Sequence, residues 1–90
     1  MSGVNWEFEI TFSEKAIKSL KELDRRTQAR MKEAISKLAN YPPQGDITKL
    51  KGEQGELRLR VGDWRITFEY RFKEKQVSIL TIKHRREAYR

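Results

Sequence analysis

The sequence predicts an α+β fold in the order β-α-α-β-β-β, with a helical hairpin packed on one face of a small antiparallel sheet. Three observations carry this prediction. The opening segment alternates apolar and polar residues with period two. Two amphipathic helical stripes follow and stop at a Pro-Pro pair. The second half then returns to period two in three strand-like segments. Each helix has a single apolar stripe to bury, so both should lie on the same face of the sheet.

Taken in order, Trp6-Glu7-Phe8-Glu9-Ile10-Thr11-Phe12 reads as a half-buried strand. Ser13 can cap a helix whose first turn carries Glu14, where a negative charge suits the helix dipole. Ala16, Ile17, Leu20 and Leu23 form its stripe. Asp24 and Thr27 are both candidate caps for a second helix, with Met31, Ala34, Ile35 and Leu38 at i, i+3, i+4 and i+7. Asn40-Tyr41-Pro42-Pro43 ends it, because proline cannot continue a helix and restricts the residue before it. A loop from Gln44 to Glu56 follows, holding Gly45, Gly52 and Gly55. Leu57, Leu59 and Val61 alternate with arginines up to a tight turn at Gly62-Asp63. Trp64, Ile66, Phe68 and Tyr70 then alternate with Arg65, Thr67, Glu69 and Arg71. Phe72 to Gln76 turns the chain into Val77–Ile82, an almost continuously apolar run expected to be covered on both faces.

Composition bounds what such a chain can do. Ninety residues, 37% of them hydrophobic, suit a single domain over residues 1–90 with one modest core. Any site should therefore be an open groove rather than an enclosed cavity. There is no cysteine, which removes disulfides and thiolate metal sites, and one histidine with dispersed carboxylates offers no metal ligand cluster. No cofactor motif is present. The start lacks the pattern of a signal peptide, and no apolar run approaches the roughly 18 residues that span a bilayer, so a cytoplasmic protein is expected. The net charge of +7 is uneven. Residues 1–48 hold eight Lys/Arg against seven Asp/Glu, and residues 49–90 hold twelve against six. The second half thus carries nearly all the excess, which a polyanionic partner would reward. No basic amphipathic helix lies there, which weighs against a membrane partner.

The alternation also sorts the cations. With Leu57, Leu59, Val61, Trp64, Ile66 and Phe68 turned toward the helices, Arg58, Arg60 and Arg65 must share the opposite face. Like charges across strands destabilise a sheet by a few tenths of a kcal/mol per pair, so keeping such a cluster points to an anionic ligand. The last strand delivers Lys83, His84, Arg85, Arg86 and Tyr89 to the edge of the same sheet. Taken alone, a basic terminus is ordinarily a mobile tail; after this strand it is expected beside the arginines.

The run RLRVGDWR and the closing HRREAYR resemble the RelE/ParE superfamily of bacterial and archaeal toxins, over essentially the whole chain. The match is closer to RelE-like members. The resemblance implies a RelE-like microbial RNase fold and the toxin of a type II toxin–antitoxin system. It further implies a metal-independent mRNA endoribonuclease, acting in the ribosomal A site by attack of the RNA 2′-hydroxyl on the adjacent phosphate. Its implied partners are a cognate RelB-like antitoxin, mRNA and the 70S ribosome or its archaeal equivalent. By this match Arg65, Arg85, Tyr89 and Arg58 take catalytic positions. Arg60, Lys49, Lys51, Lys83 and Arg86 are expected to bind RNA. The sequence departs from the family where Glu56 replaces a lysine and Arg58 another. Arginine stays protonated and is a poor general base, which leaves Glu56, Lys51, His84 and Tyr89 as candidates without deciding among them. The alternative is a ParE-like toxin that inhibits gyrase without cutting nucleic acid.

Overall fold

The computed structural model describes residues 6–50 and 55–88. Its elements are β1 (Trp6–Glu7), β2 (Glu9–Phe12), α1 (Glu14–Lys21), α2 (Arg25–Ser36), β3 (Asn40–Tyr41), β4 (Ile47–Lys49), β5 (Leu57–Val61), β6 (Trp64–Arg71), β7 (Gln76–His84) and the short helix α3 (Arg85–Ala88). Ser13 caps α1 as expected. Its Oγ accepts the Ala16 N–H at 3.0 Å and donates to the Leu80 carbonyl at 2.7 Å, so one side chain ties the helix start to β7. Asp24 rather than Thr27 caps α2, accepting the Thr27 N–H at 3.3 Å. Hydrogen bonds from Thr27, first from its side chain and then from its N–H, hold the Asp24 carboxyl below its ordinary value. A 3₁₀ turn (Lys37–Ala39) ends α2, and the Tyr70 hydroxyl donates to the Leu38 carbonyl at 2.7 Å, where helix geometry leaves carbonyls without partners.

Five strands form one sheet in the order β2-β7-β6-β5-β4, while β1 and β3 make a separate antiparallel pair. The sheet is mixed rather than wholly antiparallel, because β2 runs parallel to β7, with Ile10 opposite Val77. The opening strand is the outer neighbour of the last one, a pairing that spans almost the entire sequence. The loop expected over 44–56 contains the edge strand β4, paired to β5 with Ile47 opposite Leu59. The opening segment is divided at Phe8, whose buried ring packs against Tyr41, Tyr70 and Phe72.

The helices cover one face, and the core lies between. Met31, Ile35 and Leu38 meet Ile66, Phe68, Val77, Ile79 and Ile82, all at most 2% exposed. Cutting Met31 or Ile35 to alanine costs about 2–5 kcal/mol at such sites. Ile17 is 41% exposed, against expectation. Helix α1 packs on β7 through Ala16, Leu20 and Leu23, and position 17 lies about a quarter turn away from that line.

The buried residues of β7 explain its unbroken apolar run. Val77, Ile79 and Ile82 are separated by two and then three positions, which no regular strand can put on one face. The register jumps there: Phe68 pairs with Ile79 and Thr67 with Thr81, leaving Leu80 as the extra residue of a β-bulge. The bulge resets the alternation for everything after it.

Candidate functional site: a cation-lined cleft on the open sheet face

The bulge decides which side chains reach the uncovered face. Beyond it Ile66 pairs with Ile82, Arg65 with Lys83 and Trp64 with His84. Lys83 therefore joins Arg65 on the open face, and His84 turns to the helix side with Trp64. Across the other ladder Arg58 lies opposite Thr67 and Arg60 opposite Arg65. Arg58, Arg65 and Lys83, from three adjacent strands, line a cleft of about 160 Å³ together with Leu50, Thr67 and Thr81. The cleft is open to solvent and has room for a phosphate group between its cations. No carboxylate lines it among the described residues.

Arg65 is anchored by its own hairpin. Its Nη1 donates to the carbonyls of Trp64 at 3.3 Å and Gly62 at 3.4 Å. Gly62 has φ +62° at the first position of the two-residue turn between Val61 and Trp64, which suits a II′-type hairpin. The Arg30 guanidinium of α2 lies over it, within 3.0–3.3 Å of where a Cβ would stand.

Other expected site residues fall elsewhere. Arg60 shares the open face but pairs with Asp46 at 3.9 Å, both side chains 61% exposed, outside the cleft. Lys49 sits opposite Leu57 and borders an aromatic hollow with Tyr41, Tyr70 and Phe72 on the helix side, away from the cleft. Glu56 precedes β5 and its carbonyl accepts the Leu50 N–H at 3.1 Å, yet it does not line the cleft. His84 meets the Trp64 ring edge-on at 5.1 Å, and its Nδ1 accepts the Arg86 N–H at 3.2 Å. The expected placement of His84 among the open-face arginines is corrected, because the bulge turns it to the other side. The tail does not continue along the sheet edge. It coils into α3, held where the Arg85 N–H donates to the Asp63 carbonyl at 2.6 Å. Arg85 and Arg86 line a second hollow of about 420 Å³ with Asp63 and His84, so Arg85 is not brought into the cleft with Arg58 and Arg65. Lys51 and Tyr89 lie outside the described residues. Sequence reasoning missed Thr67, Thr81 and Leu50 as cleft residues. The two threonines were legible as open-face neighbours of Arg58 once the register was known.

The model for the ParE toxin of the type II toxin–antitoxin system parDE matches residues 10–89. The chain belongs to this toxin family. Several RelE proteins resemble it closely in length and shape. The toxin is 28% identical to the RelE1 protein of Methanocaldococcus jannaschii over 87 residues, 93% of this chain and 97% of that one. Its structure resembles the archaeal RelE–RelB complex from Pyrococcus horikoshii OT3 at TM-score 0.74 and 27% identity, covering 88% of the toxin and 96% of that chain. The RelB–RelE antitoxin–toxin complex from Methanococcus jannaschii is similar at TM-score 0.73 and 26% identity, covering 88% and 94%. The resemblance read from RLRVGDWR and HRREAYR, and the α+β arrangement it implied, are thereby confirmed. Among the described residues no helix is long and apolar enough to cross a membrane.

Proposed function

We propose that this toxin is an endoribonuclease that cleaves mRNA on the ribosome, by attack of a 2′-hydroxyl on the adjacent phosphate. The observation that carries this reading is the convergence of Arg58, Arg65 and Lys83 on one cleft with room for a phosphate group. In-line attack turns a singly charged phosphodiester into a phosphorane-like transition state with extra negative charge. Fixed cations aimed at that charge stabilise the transition state more than the ground state. Arginine is suited to the task, since its planar fork matches two phosphate oxygens and it never loses its charge. The rigid three-strand platform supplies the orientation that in-line displacement needs. Arg85, fastened at the Asp63 turn, and Tyr89, four residues on, act from the tail. The tyrosine ring stacks on a base beside the scissile bond. Arg60 and Arg86 extend the positive surface along the RNA.

The partner that silences the toxin is an acidic RelB-like antitoxin. Two of its structural relatives are RelE chains in complex with RelB. A protein with a net charge of +7 attracts such a partner at long range and binds it tightly through charge and apolar contacts together.

The family description favours a second reading, a ParE-like toxin that blocks gyrase without cutting RNA. Primer extension on mRNA from a purified translation reaction, run beside a supercoiling assay, separates the two. The nuclease reading expects breaks in mRNA on translating ribosomes and normal supercoiling. Intact mRNA with supercoiling blocked gives the answer to ParE-like inhibition.

A further inference from the structure

The sequence left the proton transfers of RNA cleavage without an owner, and the cleft narrows the choice. Six described residues line it: Leu50, Arg58, Arg65, Thr67, Thr81 and Lys83. Leucine has no proton to exchange. The two guanidinium groups keep theirs in proteins, and threonine hydroxyls are far weaker acids than an ammonium. Lys83 is left. It stands directly opposite Arg65 in the β6–β7 register, with side-chain origins about 4.5–5.5 Å apart as such pairs are. A phosphate held by Arg65 is therefore within reach of its ammonium. Arg58 and Arg65 are the charged groups that face it across the cleft. Of the candidates the sequence offered, His84 is directed to the opposite side of the sheet against Trp64, Glu56 does not line the cleft, and Lys51 and Tyr89 lie outside the described residues.

We propose that Lys83 is the general acid of the cleavage reaction, protonating the departing 5′-oxygen; this rests on the nuclease reading above. The 2′-oxygen bonds to phosphorus while its proton passes to water. The P–O5′ bond breaks, its electron pair stays on O5′, and O5′ takes a proton from the Lys83 ammonium. The neutral amine regains a proton from water. The ammonium also adds positive charge while bound, but its distinct contribution is the proton that arginine cannot give.

The test uses Lys83→Arg and Lys83→Met with two RNA substrates, one natural and one with sulfur replacing the bridging 5′-oxygen at the mapped cleavage site. A thiolate leaves without needing a proton. On natural RNA both variants are expected to slow by about 10²–10⁴-fold, the usual worth of a positioned acid. On the sulfur substrate both should return to near the wild-type rate, while Arg65→Ala stays slow on both. Wild-type speed of Lys83→Arg on natural RNA overturns the proposal, as does failure of sulfur to restore either variant. If the unmodified toxin cleaves neither substrate, the nuclease reading itself falls, a result distinct from both.

Discussion

Arg65 is held from two sides, by a strand register that opposes it to Lys83 and by a turn whose carbonyls accept from its guanidinium. Removing it takes away a fixed charge without opening the core. Arg65→Ala is expected to lower RNA cleavage by about 10²–10³-fold, as loss of one transition-state donor does, with an unchanged circular dichroism spectrum. Arg65→Lys should recover only part of the loss, because a single ammonium cannot make the two-point contact. At the other end of the sheet, burial and then the neighbouring Tyr41 push the Tyr70 phenol up to about 12. The folded state thus favours neutral Tyr70. That stabilisation is complete below pH 10, the ordinary tyrosine value, and fades as pH rises from there through about 12. Tyr70→Phe should flatten the alkaline fall in stability, measured by urea unfolding across that range.

At the scale of elements, short connections do much of the positioning. Ser13 joins α1 to β7 by two hydrogen bonds. Ser13→Ala is expected to destabilise the protein by about 1 kcal/mol, read as a shift in the denaturant midpoint at constant slope. The elements themselves were largely legible. The α2 stripe, the α1 stripe apart from Ile17, the Ser13 cap, and the β5–β6 hairpin with its arginines outward all follow from local spacing, which left the α2 cap between Asp24 and Thr27. Other features were hidden because they depend on pairing between distant segments. The parallel contact of β2 with β7 joins the two ends of the chain, and β4 becomes a strand only by lying against β5. Above all, an unbroken apolar run such as VSILTI carries no phase, so the bulge at Leu80 could not be read from it. That one extra residue moves Lys83 into the cleft and His84 out of it.

Across the whole molecule, the charge asymmetry of the sequence becomes a geometric one. The helix-covered face buries the apolar residues, and much of the excess positive charge of the second half is spread over the open face and the tail. Binding of single-stranded RNA should therefore weaken steeply with salt. Losing one phosphate contact by Arg58→Ala is expected to reduce the slope of log affinity against log salt by about 0.7. An unchanged slope would remove Arg58 from the phosphate track. The family membership and the fold agree on a toxin; the RNA chemistry proposed for it rests on the cleft. End-group analysis of RNA cut by the purified protein on ribosomes, in excess chelator, tests this most directly. The expected result is a 2′,3′-cyclic phosphate and a 5′-hydroxyl, abolished by a single 2′-deoxy substitution at the attacking nucleotide. Ends bearing a 5′-phosphate, or cleavage that survives the 2′-deoxy substitution, would contradict it.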